Sequence, residues 1–217
     1  SNMIYAKNPI NIEEAKQILF KHRKEKLPII YDGGTIHGLL TLKDIMYKKK
    51  FDNFSTLDSN GQLRVGAAIG VSGDYLRRAI ELINAGCDVL VIDIAHGHHI
   101  LCGNVIKEIK KMYNIDIIAG NVCTEEGIEY LYNMGADAIK VGVGPGSICT
   151  TRIQTGCGYP QFSAVYNCGQ KAKQLGIPII ADGGHRGRIG NIVKALVAGA
   201  SCSMLGGMIS GTTETPG

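Results

Sequence analysis

Blocks of apolar and polar residues repeat along the chain from residue 63 onward. In each block a short apolar run is followed by a glycine-containing loop, then by a segment with helical periodicity, then by another glycine. Since the apolar runs are hydrophobic on both faces, they are typical of buried parallel strands. They read RVGAAIGV (64–71), DVLVID (88–93), IDIIAG (115–120), DAIKVGV (137–143), IPIIADGG (177–184) and SCSMLGG (201–207).

Five helices are predicted between these strands, near residues 74–85, 99–113, 124–134, 161–175 and 190–198. The stretches AGCD, MGAD, LGIP and AGAS place a glycine where a helix C-cap belongs. Six strands alternating with five helices predict an α/β fold with a parallel sheet.

Two architectures fit this alternation. A doubly wound sheet carries its phosphate loop after the first strand, whereas here glycine-rich loops follow several strands and the last two read DGG and GGM. Phosphate held by loops after the late strands is typical of a (β/α)8 barrel. A barrel has eight strands and the pattern supplies six, so the prediction is an incomplete barrel or an open sheet.

Residues 1–50 follow a different pattern. NIEEAKQILFKHRKEKLPII predicts an amphipathic helix that runs into a strand, YDGG a turn, TIHGLLT a second strand, and LKDIMY the start of another helix. Residues 48–62 are polar and contain SNG, so we predict a linker there.

Composition and charge argue against some classes of function. The net charge of +4 is spread along the chain and its dense run, Lys48 to Lys50, is short, so nucleic-acid binding is not expected. No apolar stretch is long enough to span a bilayer, and no membrane association is expected. The seven cysteines are scattered without a C-x-x-C pair, which indicates reduced thiols in a cytoplasmic protein.

Candidate chemistry concentrates in GVGPGSICTTR, residues 142–152. A glycine-rich loop can expose the thiol of Cys149 and surround it with backbone N–H groups, although a lone loop cysteine is more often simply buried. Asp182 ends a strand and can accept from ribose hydroxyls, or can serve as a helix N-cap. Phosphate requires converging backbone donors, and the candidates are Gly146, Ser147, Gly183, Gly184, Gly206 and Gly207.

A metal hypothesis arises from His96, His98 and His99 in AHGHH. We do not favour it, because this spacing has no recognisable carboxylate or thiolate partner.

Five motifs in order, LRVGAAIGV, VIDIAHGH, IIAGNV, GVGPGSICTTR and ADGG, resemble the inosine monophosphate dehydrogenase and guanosine monophosphate reductase family. The resemblance covers about residues 63–217 and implies strands 3–8 of a (β/α)8 catalytic barrel. Residues 1–47 resemble the C-terminal part of a CBS-type regulatory module, which this family inserts between barrel strands 2 and 3. The resemblance therefore implies a fragment that lacks two strands and the catalytic flap.

The resemblance also implies residue roles. The thiolate of Cys149 attacks C2 of a purine nucleoside monophosphate, a hydride passes between the adduct and a nicotinamide, and Thr151 transfers protons. Asp93, Gly142 and Gly144 correspond to the cofactor site, with NAD expected, or NADP in a reductase. Backbone carbonyls of Gly144, Gly146 and Cys149 correspond to a K⁺ site, and the family implies a homotetramer.

The two activities of the family remain alternatives. GYPQFSAV (158–165) and LGGM (205–208) resemble the reductase. IDIAHGH, GTTETPG and the regulatory-module remnant resemble the dehydrogenase, which we favour: oxidation of inosine monophosphate to xanthosine monophosphate. DGGHRGRIGN (182–191) departs from the usual DGGIRYSGD, so a divergent nucleotide-binding protein without turnover is a third hypothesis. A phosphate-binding barrel with other chemistry is a fourth.

Overall fold

The computed structural model describes residues 3–51, 55–213 and 215. The chain divides into two compact units, Ser1–Leu63 and Arg64–Gly217.

The first unit is a small α/β unit with a three-stranded sheet in the order β1-β2-β3. Strand β1 is parallel to β2, and β2 is antiparallel to β3. Its small core contains Ala15, Leu19, Leu27 and Ile45. The elements are β1 (Ala6–Lys7), α1 (Ile12–Lys21), β2 (Lys26–Ile30), β3 (Ile36–Thr41) and α2 (Leu42–Phe51).

The order helix, strand, turn, strand, helix predicted for this unit is confirmed. The two-residue strand β1 was not predicted, because two residues carry no readable periodicity. Helix α2 continues to Phe51, so residues 48–51 are helical and not part of the linker predicted for 48–62. That the unit is the end of a CBS-type module stays a prediction.

The second unit contains six parallel strands in the order β4-β5-β6-β7-β8-β9. The strands are β4 (Gly66–Ile69), β5 (Val89–Asp93), β6 (Asp116–Val122), β7 (Ala138–Val141), β8 (Ile179–Asp182) and β9 (Cys202–Met204). The helices are α3 (Tyr75–Asn84), α4 (Ile100–Met112), α5 (Glu125–Met134), α6 (Thr151–Thr155), α7 (Gln161–Leu175) and α8 (Ile189–Val197). All six strands and all five helices predicted from the sequence are confirmed, and the short α6 is additional.

The strand order distinguishes the two architectures predicted from the sequence. Each strand pairs with its neighbours in the chain, and the order never reverses. A doubly wound sheet has a point at which the order reverses, whereas a (β/α)8 barrel adds strands in sequence. The second unit is therefore a six-stranded parallel half-barrel of the kind that forms part of a TIM barrel.

Burial explains why these strands are apolar throughout. Leu90, Ile92, Ile117, Ile139 and Ile179 are at most 1% exposed, and positions that alternate with them along the strands, such as those beside Leu90 and Ile179, are partly buried. Parallel strands place their carboxyl ends at one edge, so the loops that follow β5, β7, β8 and β9 gather there. Most of the candidate site residues predicted from the sequence lie in these loops or at the strand ends before them.

Glycines end the helices as predicted. Helix α5 ends at Gly135 (φ 101°) and α7 at Gly176 (φ 71°), both in the left-handed region. Glycine takes this conformation without a Cβ penalty, and the chain can then turn into the next strand.

Candidate active site

The loop that follows β7, residues 142–150, is held closely against its neighbours. A Cβ at Gly142 (φ 147°) would lie 2.6 Å from the carbonyl oxygen of Asp182, and one at Gly144 (φ 78°) would lie 2.5 Å from Cγ of Arg152. Arg152 Nη2 also donates to the carbonyl of Val143 at 3.4 Å. Packing therefore requires these two glycines, and their predicted role in cofactor binding stays a prediction.

Cys149 lies near the end of this loop beside Thr151, the first residue of α6. Its Sγ is 3.3 Å from Oγ1 of Thr151 and half-buried. The hydrogen bonds from the Thr151 side chain and backbone, helped by the positive charge of Arg152, lower the pKa of the Cys149 thiol. A lowered pKa increases the thiolate fraction at neutral pH, and the thiolate is the nucleophilic form.

Other cysteines have the opposite shift. Burial raises the pKa of Cys102 to about 11 and that of Cys168 to about 12. Burial is also the main cause that raises the pKa of Cys87, Cys123 and Cys202. Cys149 thus differs from these five cysteines, and the lowered pKa of its thiol suits the role of nucleophile predicted from the sequence.

The predicted phosphate loops after β7, β8 and β9 meet. A Cβ at Gly183 (φ 76°) would lie 3.2 Å from the backbone N and Cα of Gly146. A Cβ at Gly207 would lie 3.1 Å from Oγ of Ser147. The structure thus brings Gly146, Ser147, Gly183 and Gly207 together, with Gly184 adjacent. Gly206 lies beside Gly207 with nothing within 4 Å of where its Cβ would be.

A buried lysine connects two of the predicted carboxylates. Nζ of Lys140, on β7, donates to Oδ2 of Asp182 and, at 3.1 Å, to Oδ1 of Asp93. The side chain of Lys140 is 3% exposed, that of Asp182 23% and that of Asp93 50%. The carboxylate predicted to meet the ribose and the one predicted to meet the cofactor therefore share one cation.

Two amides hold Asp182 from other directions. Nδ2 of Asn121 donates to Oδ2 of Asp182 at 2.9 Å and to the carbonyl of Gly142 at 2.7 Å. Nε2 of Gln161 donates to the carbonyl of Asp182 at 3.2 Å and to that of Val141 at 2.9 Å. Asp182 is thus fixed at the strand end. The N-cap alternative for it is wrong, because the N-cap of α8 is Arg188.

Sequence reasoning missed Lys140, Asn121 and Gln161. A signal existed for Lys140, since a lysine within the apolar run DAIKVGV must find a partner if it is buried. Asn121 and Gln161 carry no such signal, because polar amides at the end of a strand and the start of a helix are common.

The three histidines of AHGHH do not converge on one point. His99 is the N-cap of α4, and its Nδ1 accepts from the N–H of Leu101 at 3.2 Å. His98 packs on Tyr130 with ring centroids 4.8 Å apart. Within the described residues, no three His, Cys, Asp or Glu side chains are grouped closely enough to hold a metal ion.

Within residues 3–51, 55–213 and 215, no helix is both long enough and apolar enough to cross a membrane.

Comparison with known proteins identifies the family. Residues 11–217 match the family model described as the IMP dehydrogenase / GMP reductase domain. The chain therefore belongs to this family, and the resemblance seen in the sequence motifs is confirmed.

Two curated relatives are inosine-5'-monophosphate dehydrogenases. The one from Nitrosopumilus maritimus (strain SCM1) is 51% identical over 217 residues, and the one from Aquifex aeolicus (strain VF5) is 50% identical over 217 residues. This chain spans 45% and 44% of the length of these relatives.

Solved structures of GMP reductase from Trypanosoma brucei are similar as well. A cysteine-to-alanine variant has a TM-score of 0.86 and 47% identity, covering 99% of this chain and 48% of that one. The complex with guanosine 5'-triphosphate has a TM-score of 0.83 and 47% identity, covering 99% and 51%.

Proposed function

We propose that this chain is the catalytic part of a NAD-dependent oxidoreductase that converts inosine monophosphate to xanthosine monophosphate, a step towards guanine nucleotides. The observation that carries the proposal is the thiol of Cys149. Its pKa is lowered by Thr151, and its loop contacts the two glycine loops that follow β8 and β9. A nucleophile beside a phosphate cradle is suited to a nucleotide substrate.

Substrate binding is proposed as follows. The phosphate is held by the backbone N–H groups of the loops at Ser147, Gly183–Gly184 and Gly206–Gly207. Asp182 accepts hydrogen bonds from the ribose hydroxyls, since its carboxylate is held in place by Lys140 and Asn121. This arrangement leaves the purine to extend towards Cys149.

The proposed reaction has two stages. Sγ of Cys149 forms a bond to C2 of the purine, and the hydrogen on C2 departs with its electron pair to give a cysteine thioimidate adduct. Water then adds to C2, the C–S bond breaks, and the thiol returns with xanthosine monophosphate as product. The hydroxyl of Thr151, 3.3 Å from Sγ, donates to the thiolate and is placed to transfer a proton.

The residues present fit the proposed cofactor. The Asp93 side chain is half exposed at the end of β5, where a carboxylate can accept from a ribose hydroxyl. A nicotinamide cofactor, when bound, supplies the acceptor for the hydride that leaves C2. Gly142 and Gly144 would lie close to it.

A K⁺ ion is also proposed, held by the backbone carbonyls of Gly144, Gly146 and Cys149. Oxygen donors of this type are the ones that hard cations prefer. The carbonyl of Gly146 also accepts the N–H of Cys149 at 3.2 Å, so an ion there would stiffen the loop that carries the nucleophile.

Guanosine monophosphate reductase, using NADPH, is the second candidate. It is favoured by the similarity to the Trypanosoma brucei GMP reductase structures and by the segments GYPQFSAV and LGGM. The dehydrogenase is preferred because curated relatives named inosine-5'-monophosphate dehydrogenase are 50–51% identical over the whole chain. A homotetramer, a cytoplasmic location and a CBS-type module before the barrel complete the proposal.

The test uses a chimera in which this chain replaces the matching segment of the Aquifex aeolicus relative. We expect NADH to form from inosine monophosphate and NAD⁺, and no NADPH to be consumed with guanosine monophosphate. The reverse result would assign the reductase. A folded chimera that binds inosine monophosphate but produces neither signal would support a nucleotide-binding protein without turnover. Binding of phosphorylated sugars but not purine nucleotides would support other chemistry.

A further inference from the structure

A cavity lies beside the loop that follows β8. Its volume is about 920 Å³, within the range of small-molecule sites. Its walls come from the segment around α6, the first turns of α7 and α8, and the loop 183–188. Neither Cys149 nor Ser147 lines it, and neither do Gly206 and Gly207. Gly183 and Gly184 line it and also belong to the predicted phosphate loops, so the cavity adjoins the candidate active site.

The lining of this cavity is basic. Arg152, Arg186, Arg188 and Lys194 line it together with His185, and no Asp or Glu among the described residues does so. Three of these five residues, His185, Arg186 and Arg188, lie in HRGRIGN, and His185 and Arg188 are departures from the usual family sequence. Four cations without a carboxylate near them favour an anionic ligand.

Three buried polar atoms on lining residues have no hydrogen-bond partner within the described part of the chain: Arg152 Nε, Gln161 Oε1 and His185 Nε2. His185 is 5% exposed, so its ring is buried yet unpartnered. Buried polar groups are nearly always hydrogen-bonded, so an unpaired one indicates a ligand or water as its partner. Arg152 Nε and His185 Nε2 can donate, which suits an anion. Gln161 Oε1 can accept from a ligand hydroxyl or from water.

Two helices begin at the cavity without a side-chain cap. The N-cap of α8 is Arg188 and that of α7 is Pro160, and neither makes a capping hydrogen bond through its side chain. No N-cap side chain therefore occupies the N–H groups of the first turns, although that of Asn191 donates to the carbonyl of Arg188, and the helix dipoles favour negative charge at this end. Tyr159, just before α7, and Phe162 and Val165, in its first turns, supply an apolar wall.

We propose that this cavity binds a phosphorylated small molecule carrying two or more phosphates, such as a nucleoside diphosphate. The phosphates lie between the N-termini of α7 and α8, contacted by Arg186, Arg188 and His185. The organic part packs on the wall that contains Phe162. This site adjoins the proposed substrate site, with which it shares Gly183 and Gly184, but its cations lie outside that site and its occupation does not depend on the proposed reaction.

Isothermal titration calorimetry of the 217-residue chain with pyrophosphate and with adenosine diphosphate tests the proposal. We expect saturable binding of both that weakens as salt is raised. In the double variant Arg186→Asn/Arg188→Gln, affinity should fall about tenfold or more, because charge-assisted hydrogen bonds are lost. Asn is chosen because Arg186 has a φ of 49°, which Asn tolerates. Tighter binding of adenosine diphosphate than of pyrophosphate would assign the apolar wall to the nucleoside.

The matched control is Lys107→Gln/Lys173→Gln, which removes two exposed charges on α4 and α7 outside the cavity. Its affinity should stay within about twofold of the unchanged chain, as expected for solvated surface charges. If affinity fell equally in both double variants, the effect would come from overall surface charge, and the proposal would be overturned. The absence of saturable binding with either probe would also overturn it, as would loss of pyrophosphate binding in Gly207→Ala, which alters the other site. Circular dichroism checks that each variant is folded.

Discussion

The ammonium group of Lys140 donates to the carboxylate of Asp182 from the interior of the half-barrel. The same group reaches Asp93 at 3.1 Å, two strands away across the sheet. A buried lysine side chain, 3% exposed, therefore links the two carboxylates that the proposal assigns to the substrate and to the cofactor. Any substitution of Lys140 should therefore alter the positions of both carboxylates.

Replacing Lys140 by Met should destabilise the chain by about 2 kcal/mol. Removing one partner of a buried ion pair leaves the other charge without compensation, although here the remaining carboxylates are partly exposed. Urea unfolding followed by circular dichroism measures the change.

The matched control for this variant is Lys110→Met. Lys110 pairs with Asp137 at 2.6 Å, but the two side chains are 28% and 40% exposed, so the loss should be about 1 kcal/mol or less. Equal losses in the two variants would contradict the special role of Lys140.

The reactivity of Cys149 should depend on the hydroxyl of Thr151. That hydroxyl is the main cause of the lowered pKa of Cys149, so alkylation of the thiol should begin at a lower pH than for an ordinary cysteine. In Thr151→Val the hydrogen bond is lost, the pKa rises, and the midpoint of the alkylation rate should move to higher pH. Thr151→Ser should keep the midpoint near its original position.

Peptide mass spectrometry can measure this at single sites. Trypsin cleavage after Lys140 and Arg152 yields residues 141–152, a peptide in which Cys149 is the only cysteine. Cys157 falls in the peptide 153–171, which also contains the buried Cys168, so fragmentation of that peptide assigns the label to Cys157, the internal reference. An unchanged midpoint in Thr151→Val would show that the threonine does not tune the thiol.

The cost in stability of replacing a glycine by alanine should depend on whether other atoms lie close to the new Cβ. Gly142→Ala should cost about 3 kcal/mol, because the position has a φ of 147° and the new Cβ would lie 2.6 Å from the carbonyl oxygen of Asp182. Gly206→Ala should change stability by no more than about 0.5 kcal/mol, since nothing lies within 4 Å of its Cβ position. Thermal unfolding of both variants compares them, and a loss at Gly206 as large as at Gly142 would be unexpected.

The sequence predicted the strands and helices of the second unit well, because blocks of apolar residues and capping glycines mark them directly. It could not predict α6, whose five residues are too few for a period. The apolar pattern alone left the barrel and the doubly wound sheet open, since strand order depends on pairings between distant segments, and the motif resemblance predicted the incomplete barrel. The observed order of β4 to β9 decided between them.

The candidate site was predicted only in part. Cys149, Thr151 and the glycine loops could be found because they lie in distinctive motifs. Lys140, Asn121 and Gln161 could not be assigned, because their partners are up to 61 residues away in the chain. The basic cavity could not be predicted for the same reason, because its cations are spread along the sequence from Arg152 to Lys194 and converge only in the fold.

The central claim is that Cys149 forms a covalent adduct with the purine. The most direct measurement is rapid quenching of the chimera during turnover of inosine monophosphate with NAD⁺, followed by mass spectrometry of the 141–152 peptide. The account predicts an adduct on Cys149, and at least about a thousandfold less NADH from Cys149→Ala while Cys157→Ala remains active. Undiminished turnover in Cys149→Ala, or an adduct on a different cysteine, would contradict it.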